Sequence, residues 1–122
     1  MQEDFDYCSK VIAATIYKCD TEAPFFKDVI LPDAFQSVLN VGDKIVRSMS
    51  GLDSTEIYKS QQAPVTLIYG KHDSVISLKD IENAPKLSQK IQLKILERCG
   101  HCPNLEDPPL MADLLKEFMS SP

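Results

Sequence analysis

Two short apolar runs limit what this chain can fold into more than any other feature. Val65-Thr66-Leu67-Ile68-Tyr69 stops at Gly70 and gives way to Lys71-His72-Asp73, while Ile91-Gln92-Leu93-Lys94-Ile95-Leu96 gives way to Glu97-Arg98-Cys99-Gly100-His101. Short, nearly continuous apolar runs bounded by turn-forming residues read as buried strands of a parallel sheet. Each run hands the chain to a loop bearing a titratable group, Asp73 after the first and His101 after the second. Parallel neighbours would release both loops at one edge of the sheet and bring the carboxylate to the imidazole. An Asp that orients a His and balances its charge supplies two members of a nucleophile-activating triad. The third member has no counterpart, because no Gly-x-Ser-x-Gly elbow occurs in the sequence.

Around these runs the pattern is helical. Phe5, Cys8, Val11, Ile12 and Ile16 recur at helical spacing and predict an amphipathic helix over 5–19, followed by a break from Thr21 to Pro24. Pro32 is placed to start a helix whose apolar stripe is Phe35, Val38, Leu39, Ile45, Val46 and Met49, with Gly42 as its weak point and Gly51 as its end. Asp53 as N-cap and Glu56 as its partner predict a short helix through Lys59. Ser77 caps a helix over Leu78 to Ala84 that Pro85 ends or kinks. Asp107 and Pro108 open a terminal helix with Leu110, Met111, Leu114, Leu115 and Phe118 on one face. Two parallel strands are few for a stable sheet, since parallel sheets need cover on both faces and usually more strands. The expectation is therefore a C-terminal piece of a larger protein, or a truncated relative that completes its sheet with a partner chain or by self-association. The bland alternative is a helix-rich domain with an incidental two-stranded ribbon.

Each candidate residue has an ordinary explanation to beat. Asp73 alone would read as a turn residue capping the next helix, but its place after a buried strand, with His101 suitably downstream, favours the triad role. Gly100 fits a tight loop that projects the imidazole of His101 into a cleft, where a side chain titrating near neutrality suits a general base. His72 points the other way along an extended segment and reads as exposed. Glu106 is expected to tether its loop or cap the last helix. Ser48 and Ser50, in Arg47-Ser48-Met49-Ser50-Gly51, resemble an elbow in letters but sit at a helix end.

Residues Pro64 to Ile76 and Gly100-His101-Cys102-Pro103-Asn104-Leu105-Glu106-Asp107-Pro108 resemble the C-terminal part of the α/β-hydrolase fold, the family of esterases, lipases and peptidases. In that family the first segment carries the acid of the triad and the second its base, positions held here by Asp73 and His101. A Glu-x-Pro-like turn then leads into a last amphipathic helix, matched by Glu106-Asp107-Pro108 and Leu110 to Met119. The likeness implies an α/β fold: short parallel strands flanked by helices over 61–122, preceded by cap-like connecting helices over 1–60. It also implies a serine-type hydrolase acting on a small ester or related acyl substrate, with no cofactor and no metal. The nucleophile would lie outside this chain, leaving it inactive alone.

A rival reading comes from Cys99-Gly100-His101-Cys102, whose Cys-x-x-Cys resembles the active site of dithiol oxidoreductases. Thioredoxin-like folds need further strands after that motif, and too little chain follows Cys102 to supply them. Another alternative is a non-catalytic remnant or interaction module. Zinc is disfavoured, because Cys99, Cys102 and one usable His give too few spaced ligands. Cys8 and Cys19 read as buried fillers in a reducing compartment. The net charge of −5 gives no attraction for nucleic acid or an anionic membrane. No apolar run is long enough to cross a bilayer, and the acidic start Met1-Gln2-Glu3-Asp4 is not a secretory signal. A cytoplasmic setting is expected.

Overall fold

The computed structural model describes residues 2–120, with the side chains of Gln2, Asp43 and Val46 outside the described set. The chain divides into two compact units: residues up to Ala14 with Lys18–Asp53, and Thr15–Tyr17 with residues from Ser54 onward.

The first unit is helical. Helix α1 spans Gln2–Thr15, with Glu3 and Asp4 in its first turn, where carboxylates favour the positive end of the helix dipole. It starts and stops earlier than the periodicity predicts. Thr15–Tyr17 belongs to the sheet unit, and Lys18, where the helical unit resumes, has a left-handed φ of 53°. A wide π-helical stretch, Phe26–Ile30, runs straight into α2 (Leu31–Ser37), so Pro32 lies inside a continuous helical run instead of starting one. Just before the proline the Leu31 N–H donates to Phe26 O, five residues back, which closes the wide turn. A second π stretch, Val38–Gly42, ends at the expected weak point and leads into α3 (Asp43–Met49). Phe5 packs edge-on against Phe35 with ring centroids 5.0 Å apart, and Cys8, Phe26 and Leu31 are buried. The expected apolar stripe, by contrast, is not core: Val38, Leu39, Ile45 and Met49 are all exposed. Gly51 closes the run in the left-handed region that glycine favours, with φ 78°.

The second unit holds the sheet. Helix α4 spans Thr55–Lys59 with Ser54 as N-cap, correcting the expected Asp53; Glu56 pairs with Lys59 at 2.8 Å instead of reaching back to the cap. Strands β1 (Val65–Gly70) and β2 (Ile91–Leu96) pair in parallel, in register from Val65 opposite Ile91 to Gly70 opposite Leu96. Parallel neighbours require a crossover. It contains α5 (Leu78–Ile81), whose N-cap Ser77 accepts a bond from the Asp80 N–H at 3.2 Å, and α6 (Ala84–Leu87). Pro85 opens that second helical turn, where its missing N–H costs nothing, and does not end the first. Tyr69, Ala84, Ile91, Leu96 and Cys99 are buried. Helices α7 (Pro103–Glu106) and α8 (Pro108–Ser120) complete the unit, and Asp107 caps α8 as expected, accepting from the Leu110 N–H at 3.1 Å. Between one sheet face and α8 lies a groove of about 210 Å³ lined by Ile68, Lys94, Leu114 and Phe118 among others. The ion pair Lys94–Glu117, at 2.6 Å, spans from β2 to α8. The described residues thus form a mixed α/β structure with two parallel strands and flanking helices.

Candidate active site

The two strand tips are pressed together backbone to backbone. A Cβ added at Gly70 would stand 2.0 Å from the Gly100 carbonyl oxygen and 2.6 Å from that of Cys99, so only glycine fits. The ladder continues beyond the strands: Lys71 N–H donates to Leu96 O and His72 N–H to Cys99 O, each at 2.9 Å. A turn closed by Asp73 N–H on Gly70 O (3.0 Å) then aims the Asp73 carboxylate at the neighbouring loop.

That carboxylate is fully engaged. Its Oδ1 accepts from the N–H groups of Val75 (2.7 Å) and Ile76 (3.0 Å), and its Oδ2 lies 2.9 Å from His101 Nδ1. The Asp73 side chain is only 6% exposed, while the imidazole is 36% exposed. Burial pushes the Asp73 carboxyl up, but the hydrogen bond from His101, the N–H groups of Ile76 and Val75 and the charge of His101 outweigh it. The net result lies below the usual carboxylate value. An ionised carboxylate can only accept, so in the neutral ring Nδ1 carries the proton and Nε2 is the acceptor. Below this contact the Tyr69 hydroxyl donates to Ile76 O at 2.7 Å and braces the Asp73 turn.

The His101 loop is held at successive amides. His101 N–H donates to Thr15 O at 2.9 Å, while the Glu106 carboxylate accepts from Gly100 N–H and, at 3.0 Å, from Cys102 N–H. Glu106 is thus a tether, as expected from its position. A Cβ at Gly100 would stand 2.8 Å from Thr15 O and 3.0 Å from the Tyr17 nitrogen, so this loop also needs glycine. His72 is exposed, as anticipated, and its ring stacks on Tyr17 with centroids 3.9 Å apart and planes 6° from parallel. Sequence reasoning missed Thr15 and Tyr17, whose spacing merely continues the α1 pattern.

The remaining candidates behave otherwise. Ser48 donates its hydroxyl to Ile45 O at 2.8 Å inside α3, and Ser50 follows that helix in a turn, so neither has a strand before it. Burial pushes the Cys99 thiol up, reinforced by the charges of Glu106 and Asp107 and opposed by Arg98. Burial does the same to Cys102, where a bond with Thr15 opposes it and Glu106 and Asp73 add to it. Both thiols are therefore held protonated, the opposite of what disulfide exchange needs. Cys8 is buried as expected, but Cys19 is only partly so. Among the described residues no cluster of His, Cys, Asp and Glu is arranged to hold a metal ion, and no helix is long and apolar enough to cross a membrane. Neither Asp73 nor His101 lines the groove beside α8.

Comparison with known proteins places this arrangement in context. No family model matches the chain. It is 30% identical over 78 residues to monoacylglycerol lipase ABHD6 of Mus musculus, a stretch covering 64% of this chain and 23% of that enzyme. In structure it is similar to the 2-hydroxy-6-oxo-6-phenylhexa-2,4-dienoate hydrolase of Rhodococcus, with a TM-score of 0.77 and 19% identity over 96% of this chain and 44% of the hydrolase. It is likewise similar to a bacterial membrane phospholipase A, with a TM-score of 0.76 and 21% identity over 98% of this chain and 38% of that one. The chain is thus a distant relative of the α/β-hydrolases and has the fold of one part of them. It spans less than half the length of these solved structures and under a quarter of the lipase.

Proposed function

We propose that this chain supplies the acid and the base of a hydrolase triad acting on an ester or related acyl bond of a small molecule. One observation carries the reading: the 2.9 Å contact between Asp73 Oδ2 and His101 Nδ1 at the tips of adjacent parallel strands. In this mechanism Asp73 fixes the ring tautomer and stabilises the imidazolium. The Nε2 of His101 takes the proton of a nucleophilic hydroxyl as it attacks the acyl carbon, then delivers it to the leaving alcohol. Water, activated by the same nitrogen, releases the acid. The nucleophile sits on an elbow outside these 122 residues, borne by a segment or partner chain that also extends the sheet. The similarity to a monoacylglycerol lipase and a phospholipase A supports the acyl substrate class, and the four thiols suit a cytoplasmic setting.

A covalent serine-hydrolase probe tests this. Labelling is expected only when an elbow-bearing N-terminal half is supplied, and it should fall by roughly four to six decades in rate on His101→Ala. Probe capture that is indifferent to His101→Ala and Asp73→Ala would refute the proposal.

A further inference from the structure

We propose that Tyr17 is a positioning residue for the Asp73–His101 pair, holding the acid's loop through His72 while the adjoining Thr15 carbonyl holds the base's loop. The inference deepens the triad reading and rests on it. Thr15–Tyr17 belongs to the sheet unit, although residues on both sides of it in the chain belong to the helical one. Its reach into both loops is specific. Thr15 O accepts the His101 N–H at 2.9 Å, and the Tyr17 ring lies flat on His72 at 3.9 Å. His72 is fixed at its other edge as well, where its Nε2 lies 3.1 Å from Glu97 O and its own N–H bonds Cys99 O at 2.9 Å. A carbonyl only accepts, so Nε2 is the protonated nitrogen of that ring.

Asp73 follows His72 directly, so the stack of Tyr17 on His72 restrains the backbone from which the turn aims the carboxylate at His101. Both members of the pair are thus referenced to one short stretch, and a shift between the loops requires the stack or the Thr15 bond to give. Lys18 supplies a second, independent observation. Its φ of 53° lies where side-chain-bearing residues are uncommon, and such a conformation persists only when the surroundings over-determine it. Here it turns the chain back immediately after Tyr17.

Proton NMR of the chain tests the role through the strongly deshielded Nδ1 proton that His101 shares with Asp73. That resonance is expected in the unsubstituted chain and in Tyr17→Phe, which keeps the ring. It should broaden into exchange with water in Tyr17→Leu and in His72→Ala, with far-UV circular dichroism unchanged. Because His72 is exposed, its substitution removes the stack without touching the core and reads the role even where a Tyr17 variant unfolds. A sharp resonance that survives His72→Ala or a folded Tyr17→Leu would overturn the positioning role and leave the triad reading intact. Absence of any Asp73-dependent resonance in the unsubstituted chain would overturn both.

Discussion

Replacing Gly70 by alanine probes how closely the two strand tips must approach. The new Cβ would lie 2.0 Å from Gly100 O, and relief to ordinary contact at 3.4 Å requires the loops to part by about 1.4 Å. The atoms in the way are backbone, so no side-chain rotation relieves the overlap. Overpacking of this kind costs about 1–3 kcal/mol. The same displacement would break the 2.9 Å bond from His72 N–H to Cys99 O, a further loss of about 1 kcal/mol. The expected total is about 2–4 kcal/mol, a large part of the roughly 5–15 kcal/mol that holds a domain folded. With a urea slope of about 2 kcal/mol/M, the unfolding midpoint should fall by about 1–2 M. Gly42→Ala is the control. Among the described residues its Cβ meets Val38 side-chain carbons at 3.4 and 3.7 Å, so in a helical segment it should be neutral or stabilising by up to about 1 kcal/mol. Equal midpoints for Gly70→Ala and the unsubstituted chain would refute the close approach and the alignment of the pair built on it.

The other expectations follow from the same geometry. Glu106→Ala removes the acceptor of two amides beside His101 and should cost about 2 kcal/mol in urea unfolding, with Glu106→Gln recovering part of it. Tyr69→Phe loses the bond to Ile76 O and should cost about 1 kcal/mol by the same measurement. The carboxyl of Asp73 is lowered in the folded state, so its stabilisation is complete above the unfolded value of about 3.9 and is lost as pH falls through the folded value. The stability difference between the unsubstituted chain and Asp73→Asn should therefore shrink as pH falls through the acid range in which the folded carboxyl takes up its proton, as followed by urea titrations.

Much of the sheet unit was legible in the sequence because its signals are local. The apolar runs fixed both strands, Gly70 and Gly100 marked the tight loops, and Ser77 and Asp107 announced their helices by cap chemistry. The order Asp73 then His101 followed once the strands were taken as parallel neighbours. The helical unit was harder to read. Pro32 looks like a helix start until a π turn carries the helix past it, and the stripe through Val38, Ile45 and Met49 has core periodicity but is exposed. Asp53 yielded the cap position to Ser54, and Pro85 began a turn that it was expected to end. Thr15 and Tyr17 could not be found from spacing, because their roles depend on partners far along the chain, at His101 and His72.

The ring nitrogens of His101 offer the most direct view of the arrangement on which the proposed chemistry depends. In a long-range proton–nitrogen correlation spectrum of the neutral ring, the proton should reside on Nδ1, facing Asp73, and this preference should vanish in Asp73→Ala. A ring protonated mainly on Nε2, or one indifferent to the loss of Asp73, would contradict the account.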